Sequence, residues 1–322
     1  MTQPVALCCG EPAGVGPELA LRAWEASGRD LPFFLIGDPA HLPGGPVVEI
    51  DDPAQAAEAC KTGLPVLPHP FHGKLTPGTP NPDHAQGVID VIARGVDLVQ
   101  SGMAAALCTA PIHKQALQDG AGFAYPGHTE YLAALAGVDD VAMMLASDQL
   151  RVVPATIHMA LADVPEHLTD ESLEATIRIT HAALIRDFGI PHPRLAVAGL
   201  NPHAGEGGKM GREEIEIIAP LLDRLRSDGL DLRGPMSADT MFHAAARAGY
   251  DAAVAMYHDQ ALIPIKTLDF DRGVNVTLGL PFVRTSPDHG TALDIAGQGI
   301  ANPTSLIEAL KMAARMGTAR AA

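Results

Sequence analysis

Three nearly continuous apolar segments, separated by amphipathic stretches of helical period, limit the folds open to this chain more than any other feature. The segments cover residues 152–157, 194–200 and 252–257. Continuous apolar runs are typical of parallel strands whose sheet is covered on both faces, and their alternation with helices predicts an α/β fold. Hydrophobic residues make up 47% of the chain, which is enough for a sizeable core.

Shorter elements extend the same pattern toward both ends of the chain. Residues 4–9 predict a first strand that ends in the glycine-rich loop 10–16, and Pro17 favours the start of a helix. Residues 65–82, rich in proline, glycine and histidine, are predicted to form a loop. Apolar periodicity predicts four further helices, over residues 83–100, from Thr169 to Gly189, from Ile215 to Gly229 with a kink at Pro220, and from Asn302 onward.

Charge and cysteine content narrow the possible partners and the compartment. With 22 basic and 38 acidic residues the net charge is −16, which argues against nucleic acid or an anionic membrane as a partner. Apolar runs fall well short of the ~18 residues that a membrane span needs, and a first basic residue at Arg22 gives no signal-peptide n-region. No two of the four cysteines have the C-x-x-C spacing, so we expect all four to be buried free thiols. Free thiols are typical of a reducing compartment, and we therefore expect a cytoplasmic protein.

A histidine follows each of the three apolar segments. These residues are His158, His203 and His258. In an open α/β sheet ligands bind outside the carboxyl ends of the strands, and neutral imidazole is a ligand of divalent metals such as Zn and Co. The spacings are long and match no compact metal motif, so the pattern by itself leaves two interpretations open: a divalent metal site, or three ordinary hydrogen-bonded histidines.

A cluster of charged and polar residues lies within residues 265–284, in otherwise apolar sequence. Its cations would bind a phosphate or a carboxylate, and a solvated strand edge is an equally good interpretation. Known motifs do not choose between these two interpretations. The glycine-rich loop that begins at residue 10 departs from the dinucleotide fingerprint G-x-G-x-x-G at the third glycine, and no P-loop is present. The serine-hydrolase motif G-x-S-x-G is also absent. The cluster consists of Lys266, Asp269, Asp271, Arg272, Asn275 and Arg284.

Six segments carry a resemblance to a known family: GEPAGVGPEL (10–19), YPGHTEYLA (125–133), NPHAGEGG (201–208), GPMSADTMF (234–242), YHDQALIPIK (257–266) and DFDRGVNVTLGLPFVRTSPDHGTALDIAG (269–297). Together they resemble the 4-hydroxythreonine-4-phosphate dehydrogenase family. The resemblance runs nearly from end to end of the chain, and the last two segments are highly specific.

The resemblance implies an enzyme of pyridoxal 5′-phosphate biosynthesis. It implies oxidation of the C3 hydroxyl of 4-phosphooxy-L-threonine with NAD or NADP, followed by loss of CO2 from the β-keto acid to leave 3-amino-2-oxopropyl phosphate. A divalent metal ion (Zn, Mg or Co) and a homodimer with its active site at the subunit interface are further implications. The family fold is a two-lobed α/β/α arrangement with a cleft between the lobes, similar to isocitrate and isopropylmalate dehydrogenases. The first lobe is expected to contain residues 1–135 and 285–322, and the second lobe residues 136–284.

The resemblance also implies roles for individual residues, and the metal ligands and substrate contacts among them stand at positions that match the family pattern. The implied metal ligands are His158, His203 and His258. Asp239 or Lys266 is the implied proton acceptor, and the choice between them stays open. The implied substrate contacts are His128, Thr129, Lys266, Asn275 and Arg284. The stretch that resembles an adenosine-binding loop contains His289, Gly290, Thr291, Asp294 and Asn302.

Three functions remain as alternatives to the one that the resemblance implies. The first is a related NAD- and metal-dependent dehydrogenase of D-threonate or D-erythronate 4-phosphate. The second is a non-catalytic protein that binds a small ligand between two α/β lobes, and the third is a metal-dependent hydrolase. Formation of NADH separates both dehydrogenases from the other two classes, and turnover of each substrate separates the dehydrogenases from one another.

Overall fold

The computed structural model describes residues 3–321, and the contacts within it divide the chain into two units. The first unit takes in Met1–Asp139 and Leu280–Ala322, and the second takes in Asp140–Gly279. The sequence-based boundaries were drawn after residues 135 and 284. Arg284, predicted with the second unit, therefore belongs to the first.

The described residues form twelve β-strands and eleven α-helices, joined by short 3₁₀ and π turns. The strands are β1 (Val5–Cys8), β2 (Phe33–Gly37), β3 (Val47–Glu49), β4 (Leu64–Pro68), β5 (Ala106–Thr109), β6 (Ala142–Ala146), β7 (Arg151–Pro154), β8 (Arg194–Ala198), β9 (Asp231–Met236), β10 (Ala252–Ala255), β11 (Val274–Leu278) and β12 (Arg284–Pro287). The helices are α1 (Gly16–Ser27), α2 (Ala56–Ala59), α3 (Ala85–Gln100), α4 (Lys114–Ala121), α5 (His128–Ala136), α6 (Val164–His167), α7 (Asp170–Arg186), α8 (Ala219–Ser227), α9 (Ala244–Arg247), α10 (His258–Asp269) and α11 (Thr304–Arg320).

The first unit is built on a parallel sheet. Its strands lie in the order β3-β4-β2-β1-β5-β12, and each neighbouring pair is parallel. Every residue of β1, β2, β5 and β12 is buried, since α1, α3 and α11 pack on the sheet. This burial explains why β1, β2 and β5 read as nearly continuous apolar runs rather than as alternating patterns, whereas β12 buries the polar residues Arg284, Thr285 and Ser286.

The second unit contains a mixed sheet. Its strands lie in the order β11-β6-β7-β10-β8-β9, with β7, β10, β8 and β9 parallel and with β6 antiparallel to both of its neighbours. One hydrophobic core cluster joins β6, β7, β8 and β10 to α10. It includes Leu145, Val152, Ala196, Ala253, Ala261 and Ile265. The sheet thereby fixes the carboxyl ends of β7, β10 and β8 side by side.

Most sequence-based expectations for the fold are confirmed. The α/β class is correct, α1 has a proline in its first turn, and all four cysteines are buried and free. Among residues 3–321, no helix combines the length and the apolar character needed to cross a membrane.

One local expectation is wrong, and one is refined. Residues 65–82 are not all loop, because β4 runs over Leu64–Pro68 and buries Leu64, Val66 and Leu67 between two parallel neighbours. The helix expected with a kink at Pro220 has an irregularity at that place, because a π turn, Glu214–Ile218, runs directly into α8 just ahead of Pro220. Proline has no N–H to donate to the preceding turn, and both an interior proline and a π bulge are known causes of a kink.

Candidate functional site

Three histidines follow three neighbouring strands of the second unit. His158 lies four residues beyond β7, His258 is the first residue of α10 after β10, and His203 follows β8. The strands are parallel and adjacent in the order β7-β10-β8. Their carboxyl ends therefore meet at one edge of the sheet, which we call the histidine edge.

Two members of the histidine edge form a pair. The ring centroids of His158 and His258 are 5.9 Å apart. Both line a cavity of about 470 Å³, together with Met159, Tyr257 and Asp259. The two imidazoles thus face a shared space of a size that suits a small ligand.

The hydrogen bonds of His258 fit the role of a metal ligand. Its Nδ1 donates to Asp259 Oδ1 at 2.7 Å, which leaves the lone pair of Nε2 available. A carboxylate that accepts from the second ring nitrogen is the usual partner of a metal-binding histidine, because it fixes the tautomer and the ring orientation. The donor set of the pair therefore fits a divalent transition metal.

His203 does not join this pair within one chain. It is exposed, in a turn over Pro202–Gly208 whose backbone is left-handed at His203 itself (φ 52°). Within the described part of a single chain, no group of three His, Cys, Asp or Glu side chains could hold a metal ion. One chain thus presents two of the three implied ligands together, and the third stands apart from them.

Asp239, a candidate proton acceptor, lies near the pair formed by His158 and His258. It is exposed in the 3₁₀ turn Ala238–Thr240 and accepts a hydrogen bond from Ser237 Oγ at 2.5 Å. It lines a cavity of about 430 Å³ that shares Tyr257 and Asp259 with the cavity of the histidine pair. The two cavities therefore adjoin, and Asp239 lies within reach of the same ligand space.

Lys266 and Asn275 occupy neighbouring elements of the same unit. Lys266 is on α10, with its Nζ 5.7 Å from the ring centroid of Phe270. Asn275 is half-buried on β11, opposite Leu145 of β6.

The first unit holds a separate cluster around Arg284, which we call the Arg284 cluster. It consists of Thr109, Lys114, His128 and Arg284. Arg284 is 3% exposed and donates to Thr109 Oγ1 from Nη2 at 2.7 Å and from Nε at 3.2 Å. Burial lowers the pKa of Arg284 to about 10, so the guanidinium stays charged at neutral pH.

His128 has an unsatisfied nitrogen in this cluster. Its Nε2 is buried and has no hydrogen-bond partner among residues 3–321. Burial, then repulsion by Arg284 and Lys114, holds the pKa of His128 well below its ordinary value of 6.5. A buried cation, a second cation and a neutral imidazole with a free nitrogen together favour an anion.

Lys114 was missed by the sequence interpretation. It is the first residue of α4, and a Cβ on Gly127 would lie 3.5 Å from its Nζ, which places the ammonium beside the start of α5 and hence beside His128 and Thr129. Its only sequence signal was its place shortly after β5. The role of this lysine becomes visible only in the fold, which brings it beside His128.

The loop expected to hold the nucleotide cofactor is tied to helix α1. Val15 N donates to Thr291 O at 3.0 Å, and Gly297 N donates to Glu18 Oε2 at 2.8 Å. His289 Nδ1 donates to Gly290 O at 2.8 Å, while its Nε2 is buried without a partner among residues 3–321. This unsatisfied nitrogen and the exposed Asp294 suit the polar groups of a bound nucleotide.

Asn302 lies at the end of that loop, where it meets helix α11. Its Oδ1 accepts from Thr304 N at 3.0 Å and from Thr304 Oγ1 at 2.7 Å, and so caps α11. Only its amide nitrogen remains available to a ligand.

Known proteins resemble the chain over nearly its full length. The family model described as pyridoxal phosphate biosynthetic protein PdxA matches residues 35–313. A 4-hydroxythreonine-4-phosphate dehydrogenase of Roseobacter denitrificans is 66% identical over 317 residues, covering 98% of this chain and 97% of the relative. One of a Ruegeria species is 62% identical, covering 99% and 98%. The crystal structure of 4-hydroxythreonine-4-phosphate dehydrogenase from Klebsiella pneumoniae superimposes with a TM-score of 0.91 at 38% identity, covering 98% of both chains.

Proposed function

The chain belongs to the PdxA family of pyridoxal phosphate biosynthetic proteins, and on that premise we propose that it oxidises 4-phosphooxy-L-threonine with NAD or NADP. The proposal rests first on 66% identity across 98% of the chain to a relative named for this activity. The reaction transfers a hydride from C3 of the substrate to the nucleotide and releases the hydroxyl proton. The β-keto acid then loses CO2 and leaves 3-amino-2-oxopropyl phosphate.

In this proposal the Arg284 cluster binds the phosphate group of the substrate. A phosphate dianion favours a bidentate guanidinium and a second cation, and Arg284 and Lys114 offer these despite the net charge of −16. His128, neutral because its pKa is lowered by burial, can donate one hydrogen bond from Nε2 to a phosphate oxygen. Thr129 begins α5 beside it, where a hydroxyl and the helix N-terminus also favour an anion.

The second unit supplies the groups that hold the reacting end of the substrate. A divalent ion held by the histidine edge would, when bound, polarise the substrate hydroxyl and the later carbonyl oxygen. Lys266 and Asn275 would bind substrate oxygens, and Asp239 or Lys266 would accept the hydroxyl proton. Asp239 lines one cavity and the pair of His158 and His258 lines another, and the two cavities have Tyr257 and Asp259 in common, which supports this division of roles.

We further propose that the active form is a homodimer in which His203 completes the metal site. Support comes from the single chain, where His158 and His258 pair closely but no third ligand among residues 3–321 completes the group. The exposure of His203 leaves its ring accessible to such an assembly. The loop with His289, Gly290, Thr291, Asp294 and Asn302 is the proposed nucleotide site.

One assay tests the proposal directly. The metal-depleted chain is mixed with 4-phosphooxy-L-threonine and NAD or NADP, and NADH or NADPH absorbance and CO2 release are followed before and after Zn²⁺, Mg²⁺ or Co²⁺ is added. We expect equal amounts of reduced nucleotide and CO2, only with metal present. Faster turnover of D-erythronate or D-threonate 4-phosphate would assign the related dehydrogenase instead, and absence of reduced nucleotide with every substrate would refute the dehydrogenase function.

A further inference from the structure

The turn that carries His203 has a left-handed backbone conformation, which residues with a Cβ rarely adopt. Its φ angles are 52° at His203, 51° at Ala204, 78° at Gly205, 43° at Glu206 and 67° at Gly207. Residues with a Cβ visit this left-handed region singly and seldom in succession. Such a conformation persists only where the surrounding structure determines it, so the turn must be held by specific contacts.

One buried carboxylate lies against the inside of this turn. Glu214 is 3% exposed and begins the π turn ahead of α8. Its Oε1 accepts from Asn201 N at 2.7 Å, and its Oε2 accepts from Asn201 Nδ2 at 3.0 Å. A Cβ on Gly205 would lie 2.6 Å from Glu214 Oε2, and one on Gly199 would lie 2.9 Å from Oε1. The carboxylate therefore touches the chain before the turn and in its middle.

Asn201, the residue that Glu214 grips, is enclosed on its other side as well. Its Nδ2 also donates to Glu213 Oε2 at 2.6 Å, and a Cβ on Gly211 would lie 2.2 Å from that nitrogen. Asn201 O in turn accepts from Ala204 N at 3.1 Å. A continuous chain of contacts thus runs from the Glu214 carboxylate through Asn201 to the residue that follows His203.

We propose that Glu214 is a positioning residue for His203: through Asn201 it holds the left-handed turn that aims the imidazole. The inference rests on the proposed function in one respect, namely that His203 is a metal ligand. A ligand on an exposed turn would otherwise sample many directions, and fixing its direction raises metal affinity without any contact between Glu214 and the ion. Glu214 had no sequence signal beyond its closeness to the NPHAGEGG segment.

The test compares Glu214→Gln with a matched control, Glu216→Gln. Glu216 lies in the same π turn, but it is exposed and pairs with Arg212 at 2.5 Å. Glutamine keeps the acceptor for Asn201 N and loses the one for Asn201 Nδ2. Two measurements are made on the full-length chain: hydrogen exchange of amides 201–211 without metal, and Co²⁺ affinity by calorimetry.

We expect faster exchange confined to residues 201–211 and Co²⁺ binding weakened about 10- to 100-fold in Glu214→Gln, with both readouts unchanged in Glu216→Gln. The double variant Glu214→Gln/Ala204→Gly supplies a rescue. Glycine adopts the left-handed backbone readily, so it should recover several-fold of the lost affinity. A role in global stability alone would not be rescued in this way.

Three results would count against the inference. Equal exchange and equal Co²⁺ affinity in Glu214→Gln and Glu216→Gln would overturn it, and so would faster exchange spread over β8 and α8 with no local excess in the turn. If the unaltered chain binds no Co²⁺, the metal part of the proposed function fails and the ligand role of His203 fails with it. Local exchange in 201–211 still decides whether Glu214 holds the turn.

Discussion

The histidine edge and the Arg284 cluster are polar sites of opposite construction. His258 has a side chain 39% exposed and His203 is exposed, whereas Arg284 is 3% exposed and His128 has a buried, unsatisfied nitrogen. Desolvation fixes the electrostatics of the Arg284 cluster before any ligand arrives. Among residues 3–321, the histidine edge has only two imidazoles together in one chain. The Arg284 cluster is therefore preformed, and the histidine edge is incomplete in one chain and would be completed only in the proposed homodimer.

Removing a member of the histidine edge is expected to give the largest effect. His258→Ala removes one imidazole of the pair formed with His158, and loss of a polarising ion removes several kcal/mol of transition-state stabilisation, so kcat should fall about a thousand-fold or more. The measurement is NADH formation with Co²⁺ added. His192→Ala, an exposed histidine ahead of β8, is the control and should keep full activity. Wild-type kcat in His258→Ala would remove the metal from the mechanism.

Changing Arg284 is expected to act on binding instead. Arg284→Lys keeps the charge but loses the guanidinium fork, which Thr109 Oγ1 orients and which we propose to bind the phosphate, and each lost charge-assisted hydrogen bond to the phosphate is worth about 1.5–3 kcal/mol. KM for the phosphorylated substrate should therefore rise about 10- to 100-fold, with a smaller change in kcat. Arg94→Lys, at a half-buried arginine that donates to Pro68 O, should leave KM unchanged. A kcat effect without a KM effect would contradict a phosphate-binding role.

The same contrast separates what the sequence predicted from what it did not. Strands buried on both faces, such as Arg194–Ala198, were predictable because burial forces a continuous apolar run. The common location of His158 and His258 followed from the rule that ligands bind at the carboxyl ends of strands, and their role as metal ligands stays a prediction. Lys114 was missed because its role depends on the fold, which brings it beside His128. Glu214 was missed because its role depends on its contact with an unusual left-handed turn. Strand Leu64–Pro68 was missed because its two prolines read as a loop.

Loss of the carboxylate behind His258 should give a smaller effect. Asp259→Ala removes the acceptor for His258 Nδ1 and leaves the imidazole tautomer unfixed, so Co²⁺ affinity should fall about 10-fold. Asp259→Asn, which keeps an oxygen acceptor, should lose less. Calorimetry on the metal-depleted chain measures both. Equal affinity in wild type and Asp259→Ala would show that the tautomer of His258 is set elsewhere.

The pH dependence of stability should reveal how the Arg284 cluster holds His128. Burial and two cations lower the pKa of folded His128 below its unfolded value of 6.5. As pH falls through 6.5 the unfolded chain therefore takes up the proton first, and the stability present above that pH is lost below it. His128→Gln cannot titrate, so below pH 6.5 the free energy of unfolding of wild type should fall more steeply than that of the variant, by up to about 1.4 kcal/mol per pH unit. Urea titrations at several pH values measure the difference between the two proteins. Parallel curves would mean that His128 is protonated as readily in the folded chain as in the unfolded one, and the cluster would then lack the dry, preformed character that distinguishes it from the histidine edge.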